Sequence, residues 1–124
     1  MNRKFLITGA LLAAIAVMAG AFGAHALKTR LSPESLQTFE TAVRYQFYHA
    51  LGLLAVGILY ASFPGKLMQW AGNLFIAGII FFSGSLYLLC GLDTMKWIGA
   101  ITPIGGLCFI IGWILIAAAC AKKD

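Results

Sequence analysis

Phe39-Glu40-Thr41-Ala42-Val43-Arg44-Tyr45-Gln46-Phe47-Tyr48-His49 is the one stretch of this 124-residue chain where charge, aromatic rings and a histidine crowd together. It stands at the mouth of a long apolar run, and neither glycine nor proline interrupts the chain from Glu34 to Leu51. Just upstream, Ser32-Pro33-Glu34 has the form of a helix start: a hydroxyl N-cap, proline at the first helical position and an acid near the positive dipole end. Leu36, Phe39, Val43 and Phe47 then recur at spacings of three and four, which gives one apolar face. Glu34, Gln37, Thr41 and Arg44 lie largely off it. Glu40 and Arg44 are four apart and within pairing reach, worth a few tenths of a kcal/mol in the open, roughly. One helix is therefore predicted from Pro33 to about Ala61, roughly 43 Å at 1.5 Å per residue. A hydrocarbon core of about 30 Å is shorter than that. An amphipathic extension over about 33–44, projecting from the membrane or lying on its surface, should lead into a span over about 45–63.

The rest of the chain supports a membrane setting. Its hydrophobic fraction is 61% and its charged fraction 10%, against about 45–50% and about 25% in soluble domains. In water such a surface would carry large greasy patches. The net charge of +5 is spread over segment ends, as membrane anchors are, so no nucleic-acid partner is expected. Cys90, Cys108 and Cys120 stand singly, without a Cys-x-x-Cys pair, and read as small hydrophobes.

Asn2-Arg3-Lys4 followed by an apolar run imitates a secretory signal, and Ala24-His25-Ala26 imitates its cleavage site. The run is longer than the 7–15 residues or so of a signal, and we read it as a first span over about 5–26. Ala16, Gly20 and Ala24 form a small-residue stripe that admits a close helix neighbour. Ser62-Phe63-Pro64-Gly65-Lys66 is a turn. The third span covers about 67–90, with Trp70 at an interface, and Gly91 to Lys96 connects it to the fourth. That last span is either Trp97 to Ala121, about 97–121, or a shorter helix from Pro103 capped by Thr102. In the second case Trp97 to Ile101 would be a tucked segment covered by protein. The fold class is thus all-α: residues 1–124 form a single integral membrane domain, a four-helix up-down bundle with an amphipathic helical extension leading into the second span. Basic residues favour the side of the termini, with Arg3, Lys4, Lys66, Lys122 and Lys123 against Lys28, Arg30, Arg44 and Lys96. Both termini are accordingly expected in the cytoplasm.

Alternating threading places the end of span one, the start of span two, the end of span three and the start of span four toward one membrane face. A polar cluster is expected there, made of His25, Tyr45, Gln46, His49, Ser83, Ser85, Tyr87 and Thr102. Two functions are open to it. Polar side chains within reach of lipid bond across helices, at about 0.6 kcal/mol each. Alternatively they line a pocket for a lipid, a quinone or haem, since imidazole suits haem and transition metals. No His-x-x-His cluster or buried carboxylate favours a metal, and no cofactor is expected. Spans one, three and four hold no Asp, Glu, Lys or Arg of the kind that ion or drug transport uses. A Ser85–His49 hydrolase would lack a Gly-x-Ser-x-Gly elbow and other parts of a catalytic site. No catalytic residue is assigned.

Four blocks carry a resemblance: Gly20-Ala21-Phe22-Gly23-Ala24-His25, Thr41-Ala42-x-x-Tyr45-Gln46-x-Tyr48-His49, Phe82-Ser83-Gly84-Ser85-Leu86-Tyr87 and Thr102-Pro103-x-Gly105-Gly106. Together they resemble an uncharacterised four-span family typified by the bacterial proteins YgdD and YwdK. The resemblance implies a small multi-pass protein of the bacterial inner (plasma) membrane with no established activity, and it brings no catalytic residues. The leading expectation is a non-enzymatic accessory or structural protein in the lipid bilayer, forming a homo-oligomer or joining a membrane-protein partner. The alternative is a ligand-binding or carrier protein.

Overall fold

The computed structural model describes residues 1–91 and 96–122. Most of the expected Gly91–Lys96 connection and the closing residues of the chain lie outside the described residues. Four helices are long and apolar enough to cross a membrane: α1 (Arg3–Leu27), α2 (Pro33–Leu59), α3 (Lys66–Gly91) and α4 (Thr102–Ala121), the last preceded by a short 3₁₀ turn, Lys96–Ala100. Among the described residues no strand occurs.

Each start follows from local chemistry. Asn2 caps α1, its side-chain oxygen accepting from the Phe5 N–H at 3.2 Å. Ser32 caps α2, its hydroxyl accepting from the Ser35 N–H at 3.1 Å, with Pro33 in the first turn. Gly65 breaks the chain before α3 at φ 132°, a conformation open to glycine and strained for other residues. Both alternatives for the fourth crossing are partly realised: a 3₁₀ turn with Ile98 buried comes first, and the α-helix follows from Thr102. Thr102 does not act as the N-cap. Ile101 holds that position, because the Thr102 hydroxyl is engaged with Ser85.

Consecutive helices run antiparallel. Along α1 and α2 the register passes from Asn2 beside Gly57, through Gly9 beside Ala50 and Leu54 and Gly20 beside Val43, to Gly23 beside Phe39. The start of α2 therefore packs along the second half of α1 and does not stand away from the bundle. Phe39 is buried and meets Tyr87 of α3 at 5.5 Å between ring centroids, while the Cys90 thiol donates to the Ser35 carbonyl at 3.1 Å. The α2 helix is one continuous element from Pro33 to Leu59.

The core at the Met1 end is built from rings and small residues. Phe5, Leu53, Val56, Met68, Ala71, Phe75 and Phe109 belong to one buried cluster. Phe5 lies over Gly72, Phe109 over Gly78, and Phe75 between Gly52 and Gly112. Side chains such as Ile7, Leu11, Ile15 and Phe22 point out of the bundle, which is favourable in hydrocarbon and costly in water. The chain is thus a multi-pass membrane protein, a four-helix bundle with an apolar outer surface.

Candidate functional site

The polar side chains toward the Pro33 end close on one another around α2. Gln46, 3% exposed, sits on the α2 face between α1 and α3. Its amide nitrogen donates to the Leu12 carbonyl of α1 at 2.9 Å and its oxygen accepts from the Tyr87 hydroxyl of α3 at 2.7 Å. One side chain therefore ties three helices. Ser83 is fully buried and donates to the Ala42 carbonyl of α2 at 2.8 Å. Ser85 joins α3 to α4 through the Thr102 hydroxyl and also bonds the Phe82 carbonyl at 2.9 Å.

His49 is the hinge between this polar half and the aromatic core. Its ring lies on Phe109 at 3.5 Å and 10° between planes, and meets the edge of Phe75. Trp113 of α4 places its indole Nε1 3.0 Å from His49 Nε2. An indole nitrogen only donates, so Nε2 accepts. The proton then sits on Nδ1, 2.7 Å from the Tyr45 carbonyl, to which it donates. Both ring nitrogens are occupied and the imidazole is neutral in this arrangement. Trp113 is 46% exposed to the bundle surface, where acyl chains offer no acceptor. The histidine supplies one.

Two helices depart from α geometry beside this region. In α1 the stretch Ala19–Gly23 and in α3 the stretch Ile79–Ser83 are π-helical, with the Ala24 N–H donating to the Ala19 carbonyl and the Gly84 N–H to the Ile79 carbonyl. The α3 bulge pushes the Phe82 backbone against α4 at Gly105. A Cβ at that position would collide with the backbone nitrogen of Phe82.

Of the eight residues expected to cluster, the structure links Tyr45, Gln46, His49, Ser83, Ser85, Tyr87 and Thr102 to neighbouring helices through the contacts above, or, for Tyr45, through its ring on Phe82 at 4.6 Å. His25 stands apart. It is exposed on the last turn of α1, level with the first turns of α2, whereas His49 lies level with Gly9 to Leu12. The separation along the bundle is roughly 20 Å at 1.5 Å per residue. The two histidines do not share a site. The cause is the register of α2 on α1: pairing begins at Phe39 beside Gly23, which carries His49 level with Gly9 to Leu12.

Sequence reasoning overlooked Trp113 and Phe109. A tryptophan inside an apolar span needs an acceptor for its N–H, and that need was the legible signal. The groove of about 580 Å³ between the end of α3 and the 3₁₀ turn, walled by Phe81, Leu88, Trp97 and Ile101, touches Ser85 alone among the eight. Among the described residues no group of three or more His, Cys, Asp or Glu is placed to hold a metal. Glu40 and Arg44 form no ion pair.

Comparison with known proteins agrees with this architecture. Residues 19–106 match the family described as "Protein of unknown function (DUF423)". The chain is 50% identical over 120 residues to a UPF0382 membrane protein of Staphylococcus saprophyticus, covering 97% of this chain and 98% of the relative. It is 52% identical over 120 residues to one of Staphylococcus aureus, with 97% of each covered, and 47% identical over 121 residues to the UPF0382 membrane protein YwdK of Bacillus subtilis, covering 97% and 98%. No solved structure matches. With the family matched across the blocks that build the polar half, and relatives aligned over nearly the whole length, the chain belongs to the DUF423 family, an uncharacterised family of small membrane proteins.

Proposed function

We propose that this protein is a non-enzymatic accessory or structural element of the bacterial inner membrane, with both termini cytoplasmic, that associates with itself or with another membrane protein. One observation supports the reading most. Among the described residues, every buried side-chain nitrogen and oxygen has a hydrogen-bond partner within the chain. A binding site keeps donors or acceptors open for its ligand; here Gln46, Ser83 and the Nε2 of His49 are used between helices, and His49 Nδ1 is used by the Tyr45 carbonyl of its own helix. Protein extracted gently from its membrane should therefore show no visible absorption band and no stoichiometric organic cofactor by mass spectrometry, and its removal from cells should lower the level of another membrane protein. A Soret band lost in His49→Ala would overturn the proposal.

A second reading is a carrier for a lipid, quinone or haem. The apolar groove beside Ser85 and Trp97 favours it, being of a size that suits a prenyl or acyl tail. It predicts a co-purifying quinone or lipid that Trp97→Ala releases.

A further inference from the structure

One outward-facing groove of the bundle brings an acid and a base together above an apolar trough. It follows the seam between α1 and α2 in two lobes that share Gly20, Val43 and Arg44. The lobe nearer mid-bundle, about 320 Å³, is walled by Ala16, Phe47 and Tyr48. The lobe nearer the Pro33 end, about 290 Å³, adds Ala24, Phe39 and Glu40. From the end of the bundle inward the order is thus carboxylate, guanidinium, apolar trough. Glu40 and Arg44 are exposed and unpaired with each other, and about 6 Å of helix separates them.

A guanidinium facing acyl chains is unfavourable unless it reaches the interface or meets an anion. Arg44 is level with Gly20, seven residues short of Leu27 at the end of α1, hence roughly 10 Å below that end. A lipid phosphate is the anion available at such a depth, and it matches the bidentate geometry of arginine. In a phospholipid the phosphate lies between the acyl chains and the headgroup. With the phosphate on Arg44, the chains point toward mid-bundle, into the trough, and the headgroup points toward Glu40. A carboxylate there attracts an ammonium and repels an anionic headgroup. Two-carbon ethanolamine has a reach comparable to the rise of about 6 Å between the two residues along the helix.

We infer that the α1/α2 groove binds an aminophospholipid of the phosphatidylethanolamine type, with its phosphate on Arg44, its ammonium on Glu40 and one acyl chain along Ala16 and Phe47. This goes beyond the accessory role and does not rest on it. A second copy of the chain, docked through Gly20, is the competing occupant.

Native mass spectrometry of the full chain in detergent, titrated separately with phosphatidylethanolamine, phosphatidylglycerol and phosphatidylcholine of matched acyl chains, tests it. Phosphatidylethanolamine should bind most tightly. Arg44→Gln should weaken its binding about tenfold, as expected for loss of charge-assisted hydrogen bonds, and Arg44→Lys should restore part of it. Glu40→Gln should erase the preference over phosphatidylglycerol. Because both side chains are exposed, the thermal midpoint should stay at the wild-type value in these variants. Equal or tighter binding of phosphatidylglycerol by the wild type would overturn the inference, and so would wild-type affinity in Arg44→Gln. A disulfide-linked dimer formed by Gly20→Cys with no lipid retained would assign the groove to a second copy instead.

Discussion

The two halves of this bundle are held together by different physics. At the Met1 end, Phe5, Phe75 and Phe109 insert into gaps left by Gly72, Gly52, Gly112 and Gly78. Lipid tails are as apolar as these rings, so the hydrophobic effect does not drive helices together there, and shape complementarity decides apart from the bonds of Asn2 to Gly57 and Gln69 at the very end. At the Pro33 end, carbonyls of α1 and α2 and hydroxyls of α3 and α4 are joined by Gln46, Ser83, Ser85 and Thr102. Each bond is weak, yet each adds a directional constraint to the register that the glycine notches set. His49 belongs to both, stacked on Phe109 and bonded to Trp113.

The contrast is broken most severely where backbones touch. Gly105→Val should cost about 3 kcal/mol or more, since its Cβ meets the Phe82 backbone and no side chain is there to yield. Denaturant titration in mixed micelles should show the loss, and Gly106→Ala, one residue along with only the Phe82 ring edge 3.8 Å away, should be neutral within about 0.5 kcal/mol. Phe75→Ala comes next. It removes a fully buried ring between two glycines, and a cavity of that kind costs about 3 kcal/mol. By contrast Gln46→Leu, which removes bonds to Leu12 and Tyr87, should cost about 1 kcal/mol. Smallest is Ser83→Ala, which frees one carbonyl and should cost about 0.6 kcal/mol by the same titration.

Much of the fold was legible because span length and breakers are local properties. Ser32-Pro33-Glu34 predicted the start of α2, and the cap forms as expected. Pro64-Gly65 predicted a turn, and Gly65 takes the one positive φ among the described residues. The polar half was legible as residue types on successive spans, but not as contacts. Register between helices depends on notches such as Gly9 against Ala50 and Leu54, which no single helix reveals. That register carries His49 level with Gly9 to Leu12, away from His25. The π-helical stretches were equally hidden: Ile79–Ser83 reads as an ordinary apolar helix, and only the fit of Phe82 against Gly105 shows what the wider turn accomplishes.

The polar side chains are joints between helices. A double-mutant cycle on Gln46 and Tyr87, using Gln46→Leu, Tyr87→Phe and the pair in one micelle system, tests it most directly. A favourable coupling of about 0.6–1.7 kcal/mol is expected, the range of interhelical hydrogen bonds in membranes. Coupling within error of zero, with Tyr87→Phe as stable as the wild type, would contradict it.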